Sequence, residues 1–137
     1  MKPNRFDMAR RSRTAVLLLA LGALLSGSVR PAPPDARLRN LHKGLVLFLS
    51  ADYVKAEAAL RTHLTASKEK YGLAAFLLGA CLTARSFTEA EKSAELLEEG
   101  TRRFREAKRW GAFRLPDDLK TLISPRILNV YYRAGTR

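Results

Sequence analysis

Two histidines, one cysteine and an adjacent pair of glutamates are the residues of this sequence that could carry out metal, nucleophilic or acid–base chemistry. His42 and His63 are predicted to lie on different helices, and no cluster of further metal ligands accompanies them. Cys81 stands among apolar residues, whereas a nucleophilic thiol needs exposure and an activating base. Glu98 and Glu99 would point in different directions on a helix, so they cannot form a facing acid/base pair. We therefore interpret His42, His63 and Cys81 as packing residues and predict a protein that is not an enzyme, with no metal and no cofactor.

A basic stretch interleaved with aromatic residues is the other feature that could bind something. Residues 101–137 hold ten Lys and Arg against three Asp and Glu, whereas residues 29–100 hold ten against nine. Basic groups beside aromatic rings can grip phosphates and stack on bases, and they can also meet an anionic membrane or glycan. The candidate binding residues are Arg102, Arg103, Arg105, Lys108, Arg109 and Trp110.

The same charges have a purely structural interpretation, which we favour. Glutamates crowd the start of the predicted helix and arginines crowd its end, an arrangement that complements the helix dipole. Glu98–Arg102 and Glu99–Arg103 are also favourable pairs four residues apart. A protein contact or an anionic surface comes second, and nucleic acid comes last because export would remove the protein from it.

The N-terminal residues predict export. Residues 1–14 hold five basic groups against one acid, and residues 15–25 read AVLLLALGALL before Ser26-Gly27-Ser28. This is the pattern of a secretory signal peptide, here 1–28. About 20 apolar residues are needed to span a bilayer as a helix, so we favour cleavage near Ser28 over an uncleaved membrane anchor. A Pro-rich linker, 29–37, is predicted to follow, and the mature protein would be periplasmic or secreted.

The chain contains an internal echo with a period of 34 residues. Residues 52–60, DYVKAEAAL, align with residues 86–94, SFTEAEKSA, and two glycines lie 35 residues apart upstream of them. The aligned positions are Gly44 with Gly79, Tyr53 with Phe87, Ala56 with Ala90, Glu57 with Glu91 and Leu60 with Ala94. A period of this length is typical of a repeated pair of antiparallel helices.

Apolar residues spaced three or four apart predict one buried face on each helix of these pairs. In the first pair the predicted faces are Leu38, Leu41, Leu45 and Phe48, and then Tyr53, Ala56, Leu60 and Leu64. In the second pair they are Tyr71, Ala74, Ala75, Leu78, Cys81 and Leu82, and then Phe87, Ala90, Ala94, Leu97, Thr101, Phe104 and Ala107. A capping box at 88–91 would begin the second helix of the second pair, and Gly111 would end it. Residues 117–134 are predicted to add a degenerate third pair, with Ser124-Pro125 starting its second helix.

On these positions the chain resembles the tetratricopeptide-like family, including small exported bacterial proteins of that class, over about residues 38–107. The usual Trp and Pro are absent from their places. The resemblance implies a right-handed stack of helices with a protein-binding groove. The expected fold is all-α, with tetratricopeptide-like repeats at 38–110 and C-terminal capping helices at 111–137. An unrelated four-helix bundle is the alternative fold.

The expected function is a non-enzymatic protein-interaction module, or scaffold, of the bacterial cell envelope that binds a protein or peptide on its helix stack. The alternative is a basic C-terminal surface that binds an anionic membrane, a glycan or nucleic acid.

Overall fold

The computed structural model describes residues 36–67, 70–110 and 113–135, and these contain helices and turns but no strand. The helices are α1 (Ala36–Leu49), α2 (Tyr53–Ala66), α3 (Gly72–Ser86), α4 (Ser93–Arg109), α5 (Asp117–Leu122) and α6 (Pro125–Arg133). The all-α prediction is therefore confirmed for this part of the chain. None of these helices is both long and apolar enough to cross a membrane. The predicted signal peptide lies outside the described residues, and α1 begins inside the predicted linker.

A tight turn joins α1 to α2 and sets the first hairpin. Ala51 adopts a left-handed conformation with φ 61°. The amide of Ala51 donates to the carbonyl of Phe48 at 3.0 Å, and that of Asp52 donates to Leu47 at 2.9 Å. These two bonds form a Schellman motif that ends α1. Asp52 then caps α2, since its carboxylate accepts from the amide of Lys55 at 3.3 Å.

Helix α3 is the centre of the fold. Of its 15 residues, 13 are buried, and it contacts α1, α2, α4 and α6. The run from Leu73 to Leu82 makes the helix apolar on every side. Such a helix is stable only when it is covered on every side, which explains its central position. Leu60 of α2 and Leu78 of α3 are both fully buried, as their spacing predicted.

The second hairpin begins its second helix later than predicted. The amides of Phe87, Thr88 and Glu89 bond back to carbonyls of Ala84 and Arg85, which extends the end of α3. A short 3₁₀ turn, Ala90–Lys92, follows, and α4 starts at Ser93. The predicted capping box is wrong, because α4 has Lys92 at its N-cap and no side-chain cap. The hydroxyl of Thr88 instead donates to the carbonyl of Arg85 at 3.2 Å.

This late start changes which residues of α4 face the core. Its buried residues are Leu96, Gly100, Phe104 and Ala107. The predicted positions Ala90 and Ala94 are exposed, and Phe87 and Leu97 are 38% and 37% exposed. Helix α4 ends at Arg109, while Gly111, predicted to end it, lies outside the described residues.

The two C-terminal helices lie where the sequence predicted them, and α6 packs against α3 and α4. The hydroxyl of Ser124 accepts from the amide of Arg126 at 3.3 Å, with Pro125 in the first turn. Tyr131 is the anchor of α6. Its ring lies edge-on to Phe76, with centroids 5.0 Å apart, and 5.3 Å from Phe104.

Candidate interaction surfaces

The histidines and the cysteine, which have side chains suited to chemistry, are buried or lie apart. Cys81 is fully buried, and burial raises the pKa of its thiol to about 12, so the thiol stays protonated near neutral pH. His63 is 1% exposed and its ring lies 5.2 Å from that of Tyr71. His42 was predicted to pack but is exposed on α1. Among the described residues, no three His, Cys, Asp or Glu side chains come together as metal ligands.

The predicted basic cluster is divided by the fold into two groups. Arg103 bonds Glu106 at 3.0 Å, and Trp110 packs against the core. Lys108 donates to the carbonyl oxygens of Tyr131, at 2.5 Å, and of Ala134, so it holds the C-terminal end of α6. Partial burial lowers the pKa of this ammonium group. These three residues therefore serve the fold and do not form an open surface.

The remaining three, Arg102, Arg105 and Arg109, are exposed on one face of α4. The same face carries exposed glutamates closer to the start of the helix. We call this set the α4 stripe: Glu91, in the 3₁₀ turn, and Glu95, Glu98, Arg102, Arg105 and Arg109. Steps of 100° per residue place the five of them that lie in α4 within an arc of about 80°, and Glu91 is exposed just before the helix begins. The surface is thus acidic at one end and basic at the other, where the sequence analysis expected a basic patch.

A chain of ion pairs connects three helices. Arg61 on α2 holds Glu99 on α4 through two bonds of 2.7 and 2.9 Å, and it also bonds Glu57 at 2.9 Å. Glu57 in turn accepts from Arg85 of α3, which bonds Glu89 at 2.7 and 3.0 Å. The hydrogen bonds from Arg61 lower the pKa of Glu99, and those from Arg85 lower the pKa of Glu89.

Most of this network was not predicted from the sequence. The pairs 57–61 and 85–89 have the four-residue spacing of helix ion pairs and could have been noticed. The contact between Arg61 and Glu99 joins residues 38 positions apart and has no local signal.

An apolar face on α1 was also missed. Leu38, Val46 and Leu49 are 36%, 47% and 48% exposed, and His42 lies among them. We call these four residues the α1 face, since steps of 100° place them within an arc of about 80°. Leu38 was predicted to pack inward with Leu41, Leu45 and Phe48, so that assignment is corrected. The exposed basic residues Arg39 and Lys43 both lie beside one edge of the α1 face.

Comparison of the chain with protein-family models, with curated proteins and with solved structures finds no match. Whether the two hairpins are structural repeats is therefore judged by comparing their geometry with each other. Gly44 lies against Leu60 in the first hairpin, and Gly79 lies against Gly100 and Phe104 in the second. In both hairpins a glycine of the first helix lets the second approach closely.

The other repeat positions do not correspond in space. Tyr53 is half-buried and Ala56 and Leu60 are buried, whereas their partners Phe87, Ala90 and Ala94 are exposed near the start of α4. The 34-residue echo therefore exists in the sequence only. Because α4 starts late, the aligned residues do not occupy equivalent positions in the two hairpins. Of the two helices that begin a hairpin, α3 is covered by its neighbours. Among the described residues, α1 is therefore the hairpin-starting helix that has an extended exposed apolar surface.

Proposed function

We propose that this protein is a non-enzymatic interaction module that holds a protein partner against the α1 face, at the first helix of a tetratricopeptide-like stack. The observation that carries the proposal is the exposure of Leu38, Val46 and Leu49 on one side of α1, while α3 is covered. Full burial of a Val or Leu side chain contributes about 1.5–3 kcal/mol, so three half-exposed residues offer a useful part of a binding energy.

The flanking charges define the chemistry of the partner. Arg39 and Lys43 lie beside the apolar residues and favour acidic groups at the rim of the contact. An amphipathic helix with apolar residues three or four apart and acidic residues beside them fits this face. The basic N-terminal residues and the apolar run 15–25 support a location outside the cytoplasm, so we place the partner in the cell envelope.

The test is site-specific crosslinking of the full chain in envelope extracts of the source cell. A photoreactive amino acid replaces Val46 on the α1 face or, as the control, Thr62 on the exposed side of α2. We expect one discrete adduct from position 46, none from position 62, and loss of the adduct in Leu49→Asp. The adduct should persist in about 0.5 M NaCl, because apolar contacts are not screened by salt. Equal crosslinking from positions 46 and 62 would contradict the proposal.

The alternative function uses the basic half of the α4 stripe. Arg102, Arg105 and Arg109 are exposed together and could meet an anionic membrane, a glycan or nucleic acid. The three glutamates of the same stripe oppose this, since they would repel the same surface. Sedimentation with vesicles that contain anionic lipid decides the matter. Binding that vanishes in moderate salt and in the triple change of these arginines to Gln would support the alternative.

A further inference from the structure

The α4 stripe has a symmetry that an ordinary charged helix face lacks. Its glutamates and arginines lie at equal sequence distances on the two sides of Gly100, at two, five and nine residues. The matching pairs are Glu98 with Arg102, Glu95 with Arg105, and Glu91 with Arg109. Gly100 itself faces the core, where a Cβ would lie 2.8 Å from the hydroxyl oxygen of Thr83. The stripe lies on the opposite, exposed side of the helix.

Helix geometry turns this sequence symmetry into a spatial one. Each residue rises about 1.5 Å and turns about 100°, so residues at equal distances from Gly100 lie at equal heights above and below it. They also lie at equal and opposite angles around the axis. A twofold axis at the level of Gly100, perpendicular to α4 and lying between two copies, therefore brings Glu98 and Glu95 of one copy level with Arg102 and Arg105 of the other.

We propose that α4 packs antiparallel against α4 of a second copy of this chain, in a twofold homodimer centred at Gly100. The two pairs within α4, Glu98–Arg102 and Glu95–Arg105, would each form twice, which is the self-complementary arrangement that a twofold interface requires. A parallel arrangement would place like charges together, so the stripe also selects the direction of pairing. This interface is separate from the α1 face and does not depend on the proposed function.

Four side chains of the stripe within α4 are available for such contacts. Glu95, Glu98 and Arg105 make no ion pair within the part of the chain that the structure describes. Arg102 has only a long contact of 3.8 Å with Glu99, and its side chain is 63% exposed. A second copy also satisfies both halves of the stripe, whereas an anionic membrane or polymer would match only the arginines. The interface consists of exposed charges, so the dimer should be weak and sensitive to salt.

Charge reversal provides a sharp test with the full chain. One variant carries Arg102→Glu, Arg105→Glu and Arg109→Glu, and a second carries Glu91→Arg, Glu95→Arg and Glu98→Arg. Sedimentation equilibrium at low salt should show a dimer of the unmodified chain. Each variant alone should self-associate about tenfold more weakly or worse, and an equal mixture of the two should recover a heterodimer. Rising salt should dissociate both dimers.

A matched control for the first variant has the same change in net charge at exposed positions off the stripe, with Lys55, Lys70 and Arg114 replaced by Glu. This control should dimerise like the unmodified chain, and circular dichroism confirms that every variant is folded. A monomeric unmodified chain at low salt would overturn the proposal. So would self-association of the all-acidic variant at the unmodified level, or failure of the folded variants to pair when mixed.

Discussion

Gly79 and Gly100 face each other where α3 packs against α4. A Cβ on Gly79 would lie 2.9 Å from the carbonyl oxygen of Gly100, and a Cβ on Gly100 would lie 3.1 Å from that of Gly79. A backbone oxygen cannot move aside as a side chain can, so any larger residue here must separate the helices. The same contact fixes the rotation of α4 about its axis, which points the α4 stripe outward.

Replacing Gly79 with Ala should destabilise the protein by about 1–3 kcal/mol through overpacking, although Ala favours a helix by up to about 1 kcal/mol. Gly100→Ala should cost less, because its Cβ would lie 3.1 Å from the nearest backbone oxygen, whereas a Cβ on Gly79 would lie 2.9 Å from backbone and 2.8 Å from the buried ring of Phe104. Urea denaturation measures both. The control Ala58→Ser, exposed on α2, should change the unfolding free energy by less than about 0.5 kcal/mol. A stabilised Gly79→Ala variant would contradict the close contact.

Leu78→Ala should cost about 2–5 kcal/mol, because Leu78 is fully buried in α3 and the change leaves a cavity. Leu122→Ala is the matched control, since the Leu122 side chain is 64% exposed in α5. That change should remain within about 0.5 kcal/mol. Equal shifts of the two denaturation midpoints would be incompatible with α3 as the central helix.

The Arg61–Glu99 pair should make stability depend on acid pH. The folded protein has a lowered Glu99 pKa, so the pair contributes fully above the ordinary value of 4.5. The contribution is lost as the pH falls through the lower folded value. It amounts to at most about 1 kcal/mol, because the Arg61 side chain is 37% exposed. Thermal melts across this range should show a smaller acid dependence for Glu99→Gln than for the exposed control Glu98→Gln. The same acid dependence in both variants would argue against the bridge.

Ala51→Gly should stabilise the α1–α2 hairpin. Ala51 has a φ of 61°, a conformation that costs a residue with a Cβ roughly 1–2 kcal/mol. Glycine adopts it freely but adds about 0.4–1 kcal/mol of unfolded-state entropy, so a net gain of about 0.5–1 kcal/mol is expected. Ala58→Gly, in the exposed interior of α2, should instead lose about 1 kcal/mol. Melting temperatures that fall in both variants would show that the turn is not strained.

Sequence periodicity determined the existence of the helices and much of the core. Leu60, Leu78 and Cys81 are buried as their spacing predicted, because a helix places every third or fourth residue on the same side. The start of α6 was also predictable, since Ser124 and Pro125 act through their immediate neighbours. These features depend on interactions within a few residues, which a sequence displays directly.

Tertiary structure alone decided where α4 begins and which charges remain exposed. The extension of α3 past Ser86 delays α4 to Ser93, and the contact between Gly79 and Gly100 then sets the direction in which each arginine points. Lys108 is drawn to the end of α6, whereas Arg105 stays on the surface. The rotation of one helix against another depends on contacts between residues far apart in the chain, so a local pattern of charges cannot reveal it.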